Sequence, residues 1–419
     1  MDIRGYTWWP FFDFVDWSYA SSGRNLEEFL VDNEILSSRQ EALQVKKNEP
    51  RTGRSKGPFL RRMGLVQLDE RDDGTLSRKL TKAAKHFQRI TQEWKEGAAA
   101  QPRLPLYSGY FADPFVIASS EGFIAFGTTA NSGSQGTFIS AMSSSDLIDW
   151  RNLGSPLVGV PENLGVDFWA PEVVYSQNFY WMYFSVGSGI SGHHIRVAKS
   201  ETPTGPYHDQ GVNLTPNEQF AIDAHPFQDD DGSWFMYFAR DVLTSEKVGT
   251  HLAVAKMFSM TELEPYTSEV LAPNSDWQIY EPARRMYDRK VDWHTLEGPC
   301  VVKKDGRYIL FYSGGNWQNE SYGVSYATSD TPIGPWSHES TWSAITLNSS
   351  SSELLGPGHC SILRVNNSED ILVYHAWNED KTIRQLFMDK LQWVGGLPVI
   401  SNADRRNSPI LPVPTERKI

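Results

Sequence analysis

From about residue 107 onward, short apolar runs recur with polar punctuation between them, and each has the length and residue types of a β-strand. The most aromatic runs read Gly122-Phe-Ile-Ala-Phe-Gly, Phe179-Tyr-Trp-Met-Tyr-Phe, Ser233-Trp-Phe-Met-Tyr-Phe, Arg307-Tyr-Ile-Leu-Phe-Tyr and Ile371-Leu-Val-Tyr-His-Ala-Trp. Each follows an earlier apolar run and a polar turn. A third run comes next in several units, as in Ile195-Arg-Val-Ala, His251-Leu-Ala-Val-Ala and Tyr322-Gly-Val-Ser-Tyr-Ala. Aromatic and β-branched runs bounded by Gly, Pro, Asp and Asn are strands. The units open at Asp113-Pro114, Ala170-Pro171, His225-Pro226, Gly298-Pro299 and Gly356-Pro357, placing the prolines about 55 to 75 residues apart. Two units close on related turns, Thr202-Pro-Thr-Gly-Pro-Tyr and Thr331-Pro-Ile-Gly-Pro-Trp. Several strands per unit at this period predict propeller blades rather than a helical solenoid. The expected fold is all-β, a five-bladed β-propeller over residues 107–419.

The first hundred residues follow another pattern. Gly5-Tyr-Thr-Trp-Trp-Pro-Phe-Phe-Asp-Phe-Val-Asp-Trp is intensely aromatic, and a charged, loop-like stretch runs on to about Pro58. Arg62-Met-Gly-Leu-Val-Gln-Leu reads as a short strand and Asp72-Asp-Gly-Thr as a turn. Leu80, Ala83, Ala84, Phe87, Ile90 and Trp94 then recur at helical spacing, predicting one amphipathic helix. Residues 1–96 are thus expected to form a small mixed α/β extension. Residues 97–106, with Gly97-Ala-Ala-Ala-Gln-Pro-Arg-Leu-Pro, are its linker to the propeller.

Candidate chemistry lies at the heads of the blades. Asp113 sits in Phe-Ala-Asp-Pro-Phe, Asp223 in Ile-Asp-Ala-His-Pro-Phe and Glu297 in Leu-Glu-Gly-Pro-Cys. A carboxylate at the same place in successive units implies that several blades aim one acid at a shared centre. Cleaving a glycosidic bond needs such convergence: one carboxyl protonates the leaving oxygen and another activates water. Acids beside proline that merely begin strands are the plainer alternative.

Composition narrows the partners. The chain holds 15 Trp and 17 Tyr, and such rings stack on sugars as well as packing cores. A formal net charge of −12 argues against nucleic acid or an anionic membrane as partner, since phosphate binding wants clustered Lys and Arg. The two cysteines, Cys300 and Cys360, read as buried thiols rather than a disulfide or metal site. No run of about 18 apolar residues and no secretory leader is visible, so a cytoplasmic location is expected.

Two resemblances follow from these motifs. The Trp-Trp-Pro-Phe-Phe-Asp-Phe-Val-Asp-Trp run, the Arg-Met-Gly-Leu-Val strand and the helix resemble the last strand-helix unit of family 1-like TIM-barrel glycosidases. The strands that carry that family's acid and nucleophile glutamates are absent. The resemblance therefore implies a barrel remnant whose aromatic face is buried against the propeller or a second subunit, the latter giving a homo-oligomer. From about Tyr107 on, Ala112-Asp-Pro, Phe168-Trp-Ala-Pro-Glu-Val, Ile222-Asp-Ala-His-Pro-Phe, Leu296-Glu-Gly-Pro and Gly356-Pro-Gly-His resemble glycoside hydrolase family 43.

That resemblance implies an inverting mechanism with Asp113 as general base, Glu297 as general acid and Asp223 as the carboxylate that tunes and orients the acid. A free Glu titrates near about 4.3, so neighbouring negative charge must raise the acid, while the two working carboxyls stand about 6.5 to 9.5 Å apart to admit water. It further implies that Arg384 and Trp169 face the sugar, against the alternatives of a strand-edge charge and a core indole. His359 would stand near the axis, filling it or reaching a structural calcium through water, since calcium prefers oxygen donors. No other cofactor is implied. The interval between Asp223 and Glu297 carries an extra stretch from Tyr280 to Trp293, expected as a loop that walls the site and favours removal of terminal sugars. The expected activity is release of terminal α-L-arabinofuranosyl residues from plant-type oligosaccharides. β-Xylosidase or dual activity, endo-arabinanase and galactan-directed hydrolysis are the alternatives within the class, and a non-catalytic carbohydrate-binding propeller the one outside it.

Overall fold

The computed structural model describes residues 104–130, 137–338, 347–349, 354–366 and 369–400, together with the backbone of four short strands nearer the N-terminus. The chain divides into two compact units, residues 2–101 and 102–419. In the first, Phe14–Val15 pairs with Leu60–Arg61, and Val66–Glu70 pairs with Leu76–Leu80 as an antiparallel hairpin. Leu80, expected to begin a helix, instead ends a strand. The remaining helix positions and the rest of the aromatic run lie outside the described residues.

The second unit is a five-bladed propeller. The blades begin on the inner strands Ala112–Ser119, Asp167–Ser176, Ala221–Gln228, Arg289–Lys304 and Leu355–Asn366, and each continues outward through antiparallel neighbours. The second strands explain the continuous apolar runs of the sequence. In blade three, Tyr237 and Ala239 pack toward blade four, while Met236 and Phe238 pack toward blade two. In blade four, Leu310 and Tyr312 face blade three, and Ile309 and Phe311 face blade five. A strand buried on both faces needs apolar residues at every position, so no polar alternation survives. Five separate cores result, one between each pair of neighbouring blades. The ring closes where residues ahead of blade one pair with blade five: the Leu106 amide donates to the Leu386 carbonyl at 2.9 Å and the Phe111 amide to Arg384 at 2.8 Å. Leu106, assigned by composition to the linker, therefore already belongs to the closure.

Every inner strand carries a bulge at its head, and one residue of each bulge has a left-handed backbone. These are Asp113 (φ 49°), Ala170 (48°), Asp223 (61°), Gly298 (55°) and His359 (48°). The true register of the repeat is set by these residues and not by the prolines. Blades three and five thus start at Asp223 and His359 rather than at the His225-Pro226 and Gly356-Pro357 openings. Glu297 also stands one residue ahead of its bulge, in the position that Ala112, Trp169, Ile222 and Gly358 hold elsewhere. The three acids are close in register but not identical in it.

Each bulge turns its amide away from its own ladder, and the preceding blade receives it. Thr128 accepts from Ala170 at 2.9 Å, Ser185 from Asp223 at 2.9 Å and Ser313 from His359 at 2.7 Å. His375 Nδ1 accepts from Asp113 at 3.0 Å, carrying the pattern across the closure. All four acceptors occupy one equivalent site on their second strands, opposite the residue just before the bulge. The fifth such site is Ala239, which has no acceptor, and there the carboxylate of Asp223 takes the Gly298 amide instead, at 2.9 Å. Leaving a buried amide without an acceptor costs about 1–3 kcal/mol. Ser185→Ala should therefore lower unfolding free energy by about that amount in a denaturant titration. A loss of only a few tenths of a kcal/mol would show that the clasp adds nothing.

Candidate active site

The bulges place Asp113, Asp223 and His359 around the axis, with Glu297 beside them. His359 Nδ1 lies 3.4 Å from Asp113 Oδ1 and 3.8 Å from Asp223 Oδ2. Asp223 Oδ2 accepts the amide that follows Glu297, so blade three fixes the backbone of the blade-four acid. Tyr322 donates its hydroxyl to Glu297 Oε1 at 2.6 Å. Arg384 is buried rather than a surface charge: Nη1 is 3.2 Å from Asp113 Oδ1, and Nε and Nη2 both donate to the Tyr110 hydroxyl. Its guanidinium also lies over the Trp317 ring, 4.4 Å from the centroid. Trp169 is half-buried and stacks on His193, with ring centroids 4.0 Å apart.

These surroundings push the carboxyls in opposite directions. Burial alone would raise Asp113, but Arg384 and His359 outweigh it and hold the carboxyl well below the usual range. Thr128 adds a hydrogen bond to its Oδ2 at 2.6 Å. Burial raises Glu297 to about 7, with the negative charge of Asp223 adding to the effect and the Tyr322 hydrogen bond opposing it. Asp223 is raised as well, by burial first, and it shares this charge balance with Glu297. Burial lowers His359, yet Asp223, Asp113 and Glu297 together carry it above its ordinary value. Burial lowers His375 to about 4, in keeping with a neutral ring whose Nδ1 accepts the Asp113 amide. A neutral carboxyl able to give a proton and an ionised one able to take a proton thus share one site.

Glu172 and His225, which follow the blade motifs, form a link beneath it. His225 Nδ1 donates to Glu172 at 2.8 Å while its Nε2 accepts the Val301 amide at 2.9 Å, joining blades two, three and four. The extra stretch before Glu297 is a β-hairpin and not the loop expected of an insertion at that place. Ile279–Met286 pairs with the long strand Arg289–Lys304 across a turn at Tyr287 and Asp288, both left-handed. That strand runs directly into Glu297. At the hairpin base, burial and the charge of Glu297 raise the Tyr280 phenol, and Asn316 Nδ2 donates to the Tyr280 carbonyl at 2.9 Å.

Among the described residues, no group of three or more His, Cys, Asp or Glu side chains is arranged to hold a metal ion. Calcium takes six to eight oxygen ligands, so the side chains at the axis do not form a direct cage for it. An ion there would be carried by water, and no step of the chemistry is routed through one. Tyr322, His375, Tyr110 and Thr128 were not marked by any motif. Aligning the second strands by position would have found Thr128 and His375, because they share the acceptor site of Ser185 and Ser313.

The sequence model described as glycosyl hydrolases family 43 matches residues 102–398. Beta-D-galactofuranosidase xynD of Aspergillus niger is 31% identical over 297 residues, covering 67% of this chain and 78% of that protein. The extracellular endo-alpha-(1->5)-L-arabinanase 1 of Bacillus subtilis is 28% identical, covering 68% and 86%. Among solved structures, a thermostable family-43 glycoside hydrolase superposes with a TM-score of 0.64 at 26% identity, covering 74% of this chain and 98% of that one.

The raised Glu297 carboxyl also makes stability depend on pH. It titrates at about 7 here, above its ordinary value, so its contribution to folding is complete below the ordinary value and is lost as pH rises through about 7. Glu297→Gln, neutral throughout, should melt at a higher temperature than the wild type at about pH 8, and the gap should shrink toward about pH 4. A gap independent of pH would mean that the carboxyl is not held neutral.

Proposed function

We propose a substrate and a set of roles for this chain, which belongs to glycosyl hydrolases family 43 and is an inverting hydrolase of O-glycosidic bonds. It releases terminal α-L-arabinofuranosyl residues from plant-type oligosaccharides. Glu297 donates a proton to the leaving oxygen, Asp113 takes one from the attacking water, and Asp223 keeps Glu297 protonated and oriented. The opposed carboxyl environments carry this reading: burial and Asp223 raise Glu297 to about 7, whereas Arg384 and His359 keep Asp113 ionised. Inversion needs such a pair in one turnover, with acid and base on opposite faces of the sugar. The hairpin whose second strand carries Glu297 supports a walled pocket and attack on chain ends.

A furanose substrate is supported by the relatives, whose names include arabinanases, arabinofuranosidases and a galactofuranosidase. The galactofuranosidase likeness favours a second reading, a terminal β-D-galactofuranosyl residue. That ring has the stereochemistry of α-L-arabinofuranose and adds one hydroxymethylene outside it, so pocket depth decides between them. Comparing kcat/KM on aryl α-L-arabinofuranosides, β-D-galactofuranosides and β-D-xylosides separates the readings. The highest value is expected for the arabinofuranoside, and a preference for xyloside would end the furanose reading.

The roles have their own signature. Glu297→Ala should lose about 10²- to 10⁴-fold on substrates with poor leaving groups and much less on activated aryl glycosides. Asp113→Ala should damage both, because water must be activated in either case. Wild-type kcat/KM should fall as pH rises through about 7, where Glu297 gives up its proton. Equal losses on both substrate types for Glu297→Ala would remove it as the acid.

A further inference from the structure

We propose that Tyr322 and His375 act as one stacked positioning unit that sets the acid against the base and selects the oxygen of Glu297 from which the proton leaves. This deepens the acid and base roles given above and rests on them. Glu297 lies in blade four and Asp113 in blade one, with blade five between. Tyr322 stands at the entry to the third strand of blade four, and His375 on the second strand of blade five. Their rings stack at an interplanar angle of 12°, with centroids 5.9 Å apart. One end of the pair holds the acid, where the Tyr322 hydroxyl meets Glu297 Oε1 at 2.6 Å. The other end holds the base, where His375 Nδ1 accepts the Asp113 amide at 3.0 Å. Both rings are buried, at 1% and 0% exposure, so neither end can swing into solvent.

Space for the stack is provided by Gly358. A Cβ added there would lie 1.9 Å from Tyr322 Cε1, so any other residue would drive the ring out of place. The glycine of the Gly-Pro-Gly-His motif therefore keeps the blade-five inner strand clear of the ring that holds the acid.

The hydrogen bond also decides where the acidic proton resides. Burial and the neighbouring Glu297 raise the Tyr322 phenol well above its ordinary value, so the group is a donor throughout the working range. Oε1 is therefore the acceptor oxygen of the Glu297 carboxyl, and the transferable proton sits on Oε2. When the glycosidic bond breaks, the bond electrons stay on the leaving oxygen, the Oε2 proton moves to it, and Glu297 becomes a carboxylate. Tyr322 then stabilises the new charge through the bond it already makes, without passing a proton itself.

Tyr322→Phe keeps the stacked ring and deletes only the donor. It should lower kcat on poor leaving groups by about tenfold or more, leave KM and activated aryl glycosides nearly unchanged, and shift the alkaline limb of the pH profile upward. The upward shift follows because the lost bond favoured the ionised carboxyl. Gly358→Ala should give the same leaving-group signature with the hydroxyl still present. Should either variant fail to fold, the wild type supplies the test: its infrared difference spectrum against Glu297→Gln at acidic pH should show a protonated carboxyl with a hydrogen-bonded C=O stretch. A free C=O stretch, or a Tyr322→Phe enzyme with an unmoved pH limb and no leaving-group dependence, would overturn the proposal. Glu297→Ala assayed in parallel separates the two levels. If it lacks leaving-group dependence the acid role itself fails, whereas if only Tyr322→Phe lacks it the positioning unit alone is lost.

Discussion

The amide of each bulge residue, given to the neighbouring blade, is the constraint on which the rest of this molecule depends. A left-handed backbone is disfavoured for residues other than glycine, by about 1–2 kcal/mol per residue, and four of the five bulge residues are not glycine. Such a conformation persists only where its surroundings over-determine it. Here the surroundings are a hydroxyl or an imidazole on the adjacent second strand, reached at 2.7 to 3.0 Å. The same backbone twist that needs a partner throws the side chain toward the axis. Asp113, Asp223 and His359 converge because the strands that bear them are clasped from behind. Stability and convergence come from one set of contacts.

Much of this architecture could be read from the chain, and the parts that could not have a common cause. Blade count and strand order were legible because strands covered on both faces write unbroken apolar runs. The register at the blade heads was not, because proline marks the bulge in blades one, two and four but stands elsewhere in blades three and five. A positive φ leaves no mark on the sequence when Asp, Ala or His adopts it. The offset of Glu297 follows from the same ambiguity. Its bulge residue is Gly298, so in blade four the carboxylate moved one position forward, where the alternation of the strand gives it a different approach to the centre.

The residues that motifs missed are those whose role depends on partners from other blades. Tyr322 belongs to a run that reads as an ordinary third strand, and His375 to one that reads as an ordinary second strand. Only their meeting across the boundary between blades four and five gives them consequence. The hairpin at residues 279–294 was missed for a local reason: its turn is Tyr287-Asp288, without the Asn-Gly or Asp-Gly pair that signals a two-residue hairpin. An extra stretch with no turn signature reads as a loop, and the cross-strand pairing appears only in the structure.

Asp223 shows how closely scaffold and chemistry are joined. Four blades carry a hydroxyl or imidazole at the acceptor site of the second strand, and blade three carries Ala239. A methyl group cannot take the Gly298 amide, so the Asp223 carboxylate must, and that contact draws a negative charge under the residue next to Glu297. A serine at 239 would have satisfied the backbone equally well and freed the Asp223 carboxylate from that contact, leaving burial as the main influence that keeps Glu297 protonated. The single break in the fivefold pattern of clasps therefore falls where a charge is useful. The carboxylate that completes the ring also adds to the effect of burial on the neighbouring acid, so a bond the fold requires in any case helps to raise Glu297.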